Sequence, residues 1–341
     1  MRAAVLYGKE DVRVEEVVEQ PLNPGELRVS IQAALTCGTD LKVFRRGYHA
    51  KMIVPPAVFG HELAGAIAEV HPETKGWSKG QRVVVANSAP CGECFYCQHG
   101  QENLCDDLLF LNGAYAESIV VPSRIAEENM LELGPGTSFA DAALTEPLAC
   151  VVQGIGDLEV QGDERVLVIG AGPIGLMFAA LLKHVGCDVT VAGRGENRLV
   201  LARRLEASVI EINPRDDLYN VVKESGRTFD IVIEAVGRPQ VWEAAIRLVR
   251  KGGAVNFFGG CPAETSVRFD TALIHYSNLR LVASFHHTPH TIRQALAYIE
   301  TGVITARDFV DGSCRLEELP EVFRGMAAGN RVIKTLVKSL P

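Results

Sequence analysis

A chain of 341 residues exceeds one small core, so two domains are the default expectation. Its 47% hydrophobic and 22% charged residues are ordinary for a soluble globular enzyme, and the net charge of −8 supplies no electrostatic attraction for nucleic acid or anionic lipid. No uninterrupted apolar stretch approaches the roughly 18 residues of a membrane span. Met1–Tyr7 reads as a first strand, not a signal peptide. Nine cysteines in such a chain point to metal or free thiols before disulfides, and the expected location is the cytoplasm.

Short strand-like runs fill the first 150 residues: Ala3 to Leu6, Val12 to Val17, Leu27 to Ala34, Gly65 to Val70 and Arg82 to Ala86. Pro-Gly and Lys-Gly turns separate them, and no long helical period shows until about Phe139. A β-rich, barrel-like domain is expected. Its strongest motif is Cys91-x-x-Cys94-x-x-Cys97-x7-Cys105. Four thiols at this spacing suit a tetrahedral four-thiolate zinc. Such a site is closed and therefore structural. A disulfide or redox pair is the competing interpretation.

Two smaller motifs precede it, Cys37-Gly38-Thr39-Asp40 and Gly60-His61-Glu62. With Glu146 they can supply the thiolate, imidazole and carboxylate of a catalytic zinc, although spacing alone does not bring them together.

From about Val151 the texture changes to alternating strands and helices. The strands read Arg165 to Ile169, Asp188 to Ala192, Ser208 to Ile212, Phe229 to Ala235, Gly253 to Phe258 and Leu279 to Ser284. Helical stretches lie between them, such as Ile174 to Val185, Asn197 to Leu205 and Gln240 to Val249. This is the pattern of a doubly wound parallel sheet. The first strand ends in Gly170-Ala171-Gly172-Pro173-Ile174-Gly175, a G-x-G-x-x-G turn that can cradle a pyrophosphate at a helix N-terminus. Ala235-Val236-Gly237 falls at the ligand end of the sheet. The second strand ends Ala192-Gly193-Arg194, with glycine where an acid would accept the ribose hydroxyls of NAD. Arg194 and Arg198 can pair with a 2′-phosphate and Gly193 leaves room for it, so NADP is favoured over NAD. Glu196 reaching the ribose, with the arginines merely solvated, is the alternative.

In order and separation, the C-G-T-D, G-H-E, four-cysteine, Glu146-Pro147-Leu148-Ala149 and G-A-G-P-I-G motifs resemble the zinc-dependent medium-chain alcohol dehydrogenases, in the branch of sorbitol (polyol) and threonine dehydrogenases. Gly113-Ala114-Tyr115-Ala116-Glu117 resembles the family's strand after the zinc lobe. The resemblance implies a GroES-like catalytic domain over residues 1–150 and 287–341 and a Rossmann domain over 151–286. It implies two zinc ions per chain. Cys37 and His61 would bind the catalytic one, Glu62 would be a ligand or a close outer carboxylate, and Glu146 would bind directly or through water. Asp40 would orient His61, and Thr39 would pass the proton of the alcohol outward. Lys42 stands where many relatives have histidine.

The tail Arg331 to Val337 would rejoin the first domain, with Lys334 either near the cofactor pyrophosphate or an exposed strand lysine. Within Ser284 to His290, His286 or His287 is expected beside nicotinamide or substrate, not in a third metal site. Cys150, Cys187, Cys261 and Cys314 read as packing or incidental thiols. The implied reaction moves a hydride between a small secondary alcohol or polyol and NAD(P), with a ketone or aldehyde as the oxidised partner. Threonine 3-dehydrogenase, NADPH-dependent carbonyl reductase and a non-catalytic nucleotide-binding or redox-sensing protein are the alternatives. A homodimer or homotetramer is expected.

Overall fold

The computed structural model describes residues 1–48, 52–330 and 332–338. Two compact units result: one joins Met1–Ala149 to His287–Pro341, and the other is the continuous stretch Cys150–His286. The first unit is thus interrupted in sequence by the second.

In the first unit a seven-stranded sheet runs in the order Met130–Glu132, Arg82–Val85, Leu63–Val70, Leu27–Leu35, Thr335–Lys338 and Gly312–Arg315, while Ser118–Val121 also pairs with Leu27–Leu35. A three-stranded sheet adds Asp11–Glu16, Arg2–Gly8 and Ala57–Val58. Leu27, Val29 and Ile31 alternate into the core, as the period-2 geometry of a strand requires. The aromatic rings of Phe44, Phe59, Tyr115 and Phe323 pack there together.

Short helices precede Phe139, where no long helical period shows, and the longest of them has nine residues. Gly38–Arg46 is helical immediately after the Leu27–Leu35 strand. Only Asp40, Val43 and Phe44 are buried along it, so its apolar stripe is too narrow to register as a periodic run. Cys37 is its N-cap: the Sγ accepts the Thr39 N–H at 3.4 Å, and Gly47 ends the helix in the left-handed conformation.

The second unit holds six parallel strands in the order Ser208–Glu211, Asp188–Gly193, Arg165–Ile169, Phe229–Glu234, Val249–Phe257 and Arg280–Ala283. Starting at the first strand in sequence, the order runs outward one way and then the other, so the direction reverses beside Arg165–Ile169. The fifth strand starts earlier than expected, at Val249, because Val249 already pairs with Phe229; residues 250–253 then bulge out, with Gly252 at φ +73°, before pairing resumes at Ala254 opposite Ile231. Among the described residues no helix is long and apolar enough to cross a membrane.

Candidate active site and structural metal lobe

The Leu27–Leu35 strand delivers Thr36 and Cys37 to the helix that carries Asp40. The adjacent Leu63–Val70 strand starts just after His61 and Glu62. Strand pairing of Ala34 with Leu63 therefore places the two motifs side by side. Ligand atoms of Cys37, His61 and Glu62 lie within 4.8 Å of one another. A thiolate, an imidazole and a carboxylate at this separation fit a zinc ion.

Behind His61 stands a buried relay. Its Nδ1 is 3.0 Å from Asp40 Oδ1, which leaves the other ring nitrogen for a metal. The Tyr115 hydroxyl meets Asp40 Oδ2 and also lies 3.0 Å from the Leu35 carbonyl. Tyr115 is fully buried. Burial, then the Asp40 charge, raises its phenol well above the usual value and keeps it a donor. For His61, burial works against the imidazolium, but the Asp40 and Cys37 charges outweigh it and raise its pKa well above normal. A metal would have to displace that proton.

The other side of the site comes from the Thr335–Lys338 strand. Lys334, 1% exposed, donates to Glu62 Oε1 at 2.7 Å, to Glu62 Oε2 at 2.5 Å and to the Thr36 carbonyl at 3.2 Å. Burial disfavours its ammonium, yet the Glu62 carboxylate raises its pKa and holds it protonated. The exposed-lysine interpretation is thus corrected: antiparallel pairing of Leu336 with Leu35 pulls this residue inside. A pyrophosphate contact would have to compete with all three acceptors. Glu146, buried at the start of the helix Thr145–Gly156, has its pKa raised to about 7, first by burial, with His61 lowering it and Glu62 raising it again. It interacts with this network electrostatically but stands outside the mutual 4.8 Å group of Cys37, His61 and Glu62. Thr39 is half-buried in the first helical turn, and Lys42 is exposed. Arg331 lies outside the described residues.

Cys91, Cys94, Cys97 and Cys105 converge with sulfurs within 4.8 Å of one another. Cys94 and Cys97 sulfurs are 3.5 Å apart, and Cys91 and Cys97 sulfurs 4.0 Å. These are no disulfide lengths, and all four thiols are free. They match the edge of roughly 3.8 Å expected for a tetrahedron with Zn–S bonds of about 2.3 Å. Backbone N–H groups of Cys91 and Cys94 already point at the sulfurs of Cys105 and Cys91. Backbone hydrogen bonds at Cys97 and Asp106 lower the Cys94 thiol to about 6, whereas burial pushes Cys97 up to about 12.

In the second unit each glycine of the turn has a distinct reason. A Cβ on Gly170, whose φ is +117°, would meet the Ala235 carbonyl at 3.0 Å. One on Gly175 would lie 1.8 Å from the Gly170 oxygen. Gly172 has nothing within 4 Å and caps the Pro173–His184 helix, so its backbone is open to a ligand. Ile174 stands beside it in the first turn, half-buried. No side chain fits at Gly193: a Cβ there would be 2.5 Å from that of Ala171 and 2.8 Å from its backbone nitrogen. Glycine is demanded by this packing, which equally bars an acidic side chain. Arg194 and Arg198 follow, both half-buried.

Two buried polar residues beside the candidate sites escape the sequence. Tyr115 belongs to a motif quoted above, yet nothing local ties it to Asp40. Glu234, wholly buried at the end of its strand, accepts the Val236 and Gly237 N–H groups at 2.9 Å and so shapes the Ala235–Gly237 loop. His287 is buried in the first unit, with Nε2 2.9 Å from Asn87 Oδ1.

A thiolate–imidazole–carboxylate cluster in one unit and a doubly wound sheet with an open glycine turn in the other are features of an NAD(P)-dependent oxidoreductase with residues that could hold a metal. Known proteins agree. Residues 23–128 match the alcohol dehydrogenase GroES-like domain, and residues 173–301 match the zinc-binding dehydrogenase family. D-altritol 5-dehydrogenase of Agrobacterium fabrum is 36% identical over 318 residues, 90% of each chain. L-threonine 3-dehydrogenase of Pyrococcus furiosus is 33% identical over 285 residues, 80% of this chain and 79% of that protein. A dehydrogenase structure from Sinorhizobium meliloti 1021 bound to NADP superposes with a TM-score of 0.88 at 26% identity, covering 99% of this chain and 98% of that one. The chain belongs to the zinc-binding medium-chain dehydrogenases, NAD(P)-dependent oxidoreductases related to the polyol and threonine enzymes.

Proposed function

We propose that the chain oxidises a small secondary alcohol or polyol, reversibly, with NADP as hydride acceptor. The convergence of Cys37, His61 and Glu62 within 4.8 Å carries this proposal. Cys37 and His61 would hold the catalytic zinc, with Glu62 and Glu146 as nearby carboxylates. Bound there, zinc supplies a Lewis acid that favours ionisation of an alcohol. Asp40 fixes the His61 tautomer, and the Thr39 hydroxyl passes the released proton outward. Gly170, Gly172, Pro173, Ile174 and Gly175 would take the pyrophosphate, and Arg194 and Arg198 the 2′-phosphate. Ala235, Val236 and Gly237 would line the nicotinamide side. Cys91, Cys94, Cys97 and Cys105 would hold the structural zinc. D-altritol 5-dehydrogenase among the relatives supports a polyol, and the NADP-bound structure supports the cofactor.

The test is metal analysis followed by a substrate panel. Two zinc ions per chain, and faster turnover of polyols with NADP than with NAD, are the expected result. Exclusive use of threonine, or a large NAD preference, would replace the corresponding part. Light scattering is expected to show a dimer or tetramer.

A further inference from the structure

Glu234 ends the Phe229–Glu234 strand with its side chain wholly buried. Its Oε1 accepts the Val236 and Gly237 N–H groups, both at 2.9 Å, and its Oε2 lies 3.3 Å from the Gly237 nitrogen. Its backbone carbonyl accepts the N–H groups of Phe258 at 3.1 Å and Gly259 at 2.8 Å, just past the neighbouring strand. One residue therefore grips two loops at the carboxyl end of the sheet. These loops pack backbone against backbone. A Cβ on Gly259 would lie 2.4 Å from the Gly237 nitrogen and 2.6 Å from Glu234 Oε2, and one on Gly237 would lie 2.5 Å from the Gly260 oxygen. Trp242 adds an indole N–H donated to the Gly259 carbonyl at 2.9 Å. The first loop also borders the glycine turn: a Cβ on Gly170 would meet Ala235 O and Val236 Cγ2, each at 3.0 Å. Val236 itself stays 39% exposed.

We infer that Glu234 is a positioning residue for the nicotinamide half of the cofactor. The inference rests on the proposal that Ala235, Val236 and Gly237 line that side of the site. Buried N–H groups without an acceptor are unfavourable. Deprived of the Glu234 oxygens, the Val236 and Gly237 N–H groups must find partners elsewhere, and the loop leaves its place beside Gly170. The other half of the cofactor is assigned to Gly193, Arg194 and Arg198, whose strand lies on the far side of Arg165–Ile169. Loss of the carboxylate should therefore weaken one half of the ligand and spare the other. The substitutions separate reach from charge. Leucine accepts nothing, aspartate draws the oxygens back by one methylene, and glutamine leaves an acceptor oxygen in place.

Calorimetric titration of the full-length protein with NADP against 2′,5′-ADP, and with NAD against ADP, reads this division. Glu234→Leu is expected to bind the dinucleotide at least about tenfold more weakly, with the adenosine fragment within about twofold of wild type. Glu234→Gln should recover most of the lost affinity. Dinucleotide binding by Glu234→Leu within about twofold of wild type overturns the inference. So does an equal loss of dinucleotide and fragment, which means damage to the whole unit, and so does a Glu234→Gln that recovers nothing.

If Glu234→Leu does not fold, Glu234→Asp decides. A loss of about tenfold confined to the dinucleotide supports the inference, and wild-type affinity overturns it. A wild-type preference for NAD would overturn the choice of cofactor alone, since the same division is then read on NAD and ADP. Wild-type protein that binds neither dinucleotide would overturn the proposed function, and this inference with it.

Discussion

The ring of Tyr115 occupies the place of a side chain on Gly60: a Cβ there would lie 2.6 Å from the ring. Gly60 also has φ +96°, a conformation that glycine alone adopts freely. The glycine of the G-H-E motif thus serves the relay behind the histidine. Gly60→Ala is expected to push the ring away, lowering both stability and activity. Tyr115→Phe deletes only the hydroxyl; the fold should survive with a loss of about 1–3 kcal/mol, the cost of leaving a buried acceptor unpaired. Urea unfolding and kcat/KM measure the two effects. Wild-type stability and kcat/KM in both variants would refute the relay.

The two cysteine sites should fail differently. Cys37→Ser or His61→Ala is expected to abolish turnover, remove one zinc per chain and leave the circular dichroism spectrum native. Cys94→Ser should lower Tm and remove the other zinc, because the lobe contributes folding energy through its metal. Wild-type-like turnover in Cys37→Ser would exclude the proposed centre. Unchanged Tm and zinc content in Cys94→Ser would exclude the structural site.

The NADP proposal assigns the 2′-phosphate to Arg194 and Arg198, because Gly193 itself leaves no room for a side chain. Arg194→Ala is expected to raise KM for NADP about tenfold while leaving that for NAD within twofold, as removal of one charge-assisted phosphate contact implies. Gly193→Asp should not create an NAD enzyme. Its Cβ would displace Ala171 and the glycine turn, weakening both cofactors. Kinetics with the two nucleotides separate these outcomes.

Acid sensitivity has an identifiable contributor in the second unit. Hydrogen bonds from Arg165 first, with Arg250 adding, hold the Asp230 carboxyl well below the usual range against the opposing effect of burial. A folded-state pKa below the unfolded one stabilises the protein above about pH 4, and the contribution disappears as pH falls towards the folded value. The stability gap between wild type and Asp230→Asn should therefore be wide at pH 7 and narrower at pH 3. Chemical unfolding at both values checks the sign; a gap that widens in acid would contradict it.

Local features are legible in the chain itself. The cysteine lobe closes within fifteen residues, and the glycine turn needs only the strand before it and the helix after it. The parallel strands read clearly because they are continuous apolar runs between amphipathic helices. What escapes depends on distant pairing. Lys334 and Glu62 are 272 positions apart, and Tyr115 and Asp40 are 75 apart. No spacing rule connects such residues; the register of Leu336 on Leu35 and of Ala34 on Leu63 joins the first pair, and backbone bonds of Tyr115 to Phe59 and Ala4 place the second. The tight packing of Gly193 on Ala171 escapes for a related reason, since it depends on where the neighbouring turn lies.

The Thr335–Lys338 strand has a consequence for the order in which the protein is built. During synthesis the motifs of Cys37 and His61 emerge early, yet the cation that neutralises Glu62 comes after the whole second unit. Cys150–His286 is continuous and has its own core, so it can fold as soon as it is made. The first unit must wait, with the Ala34–Leu35 end of its strand unpaired on that side and Glu62 lacking its partner, until residues 287–338 arrive. A ribosome-bound chain cut short of that strand would keep its cysteines and its histidine but not a finished metal pocket.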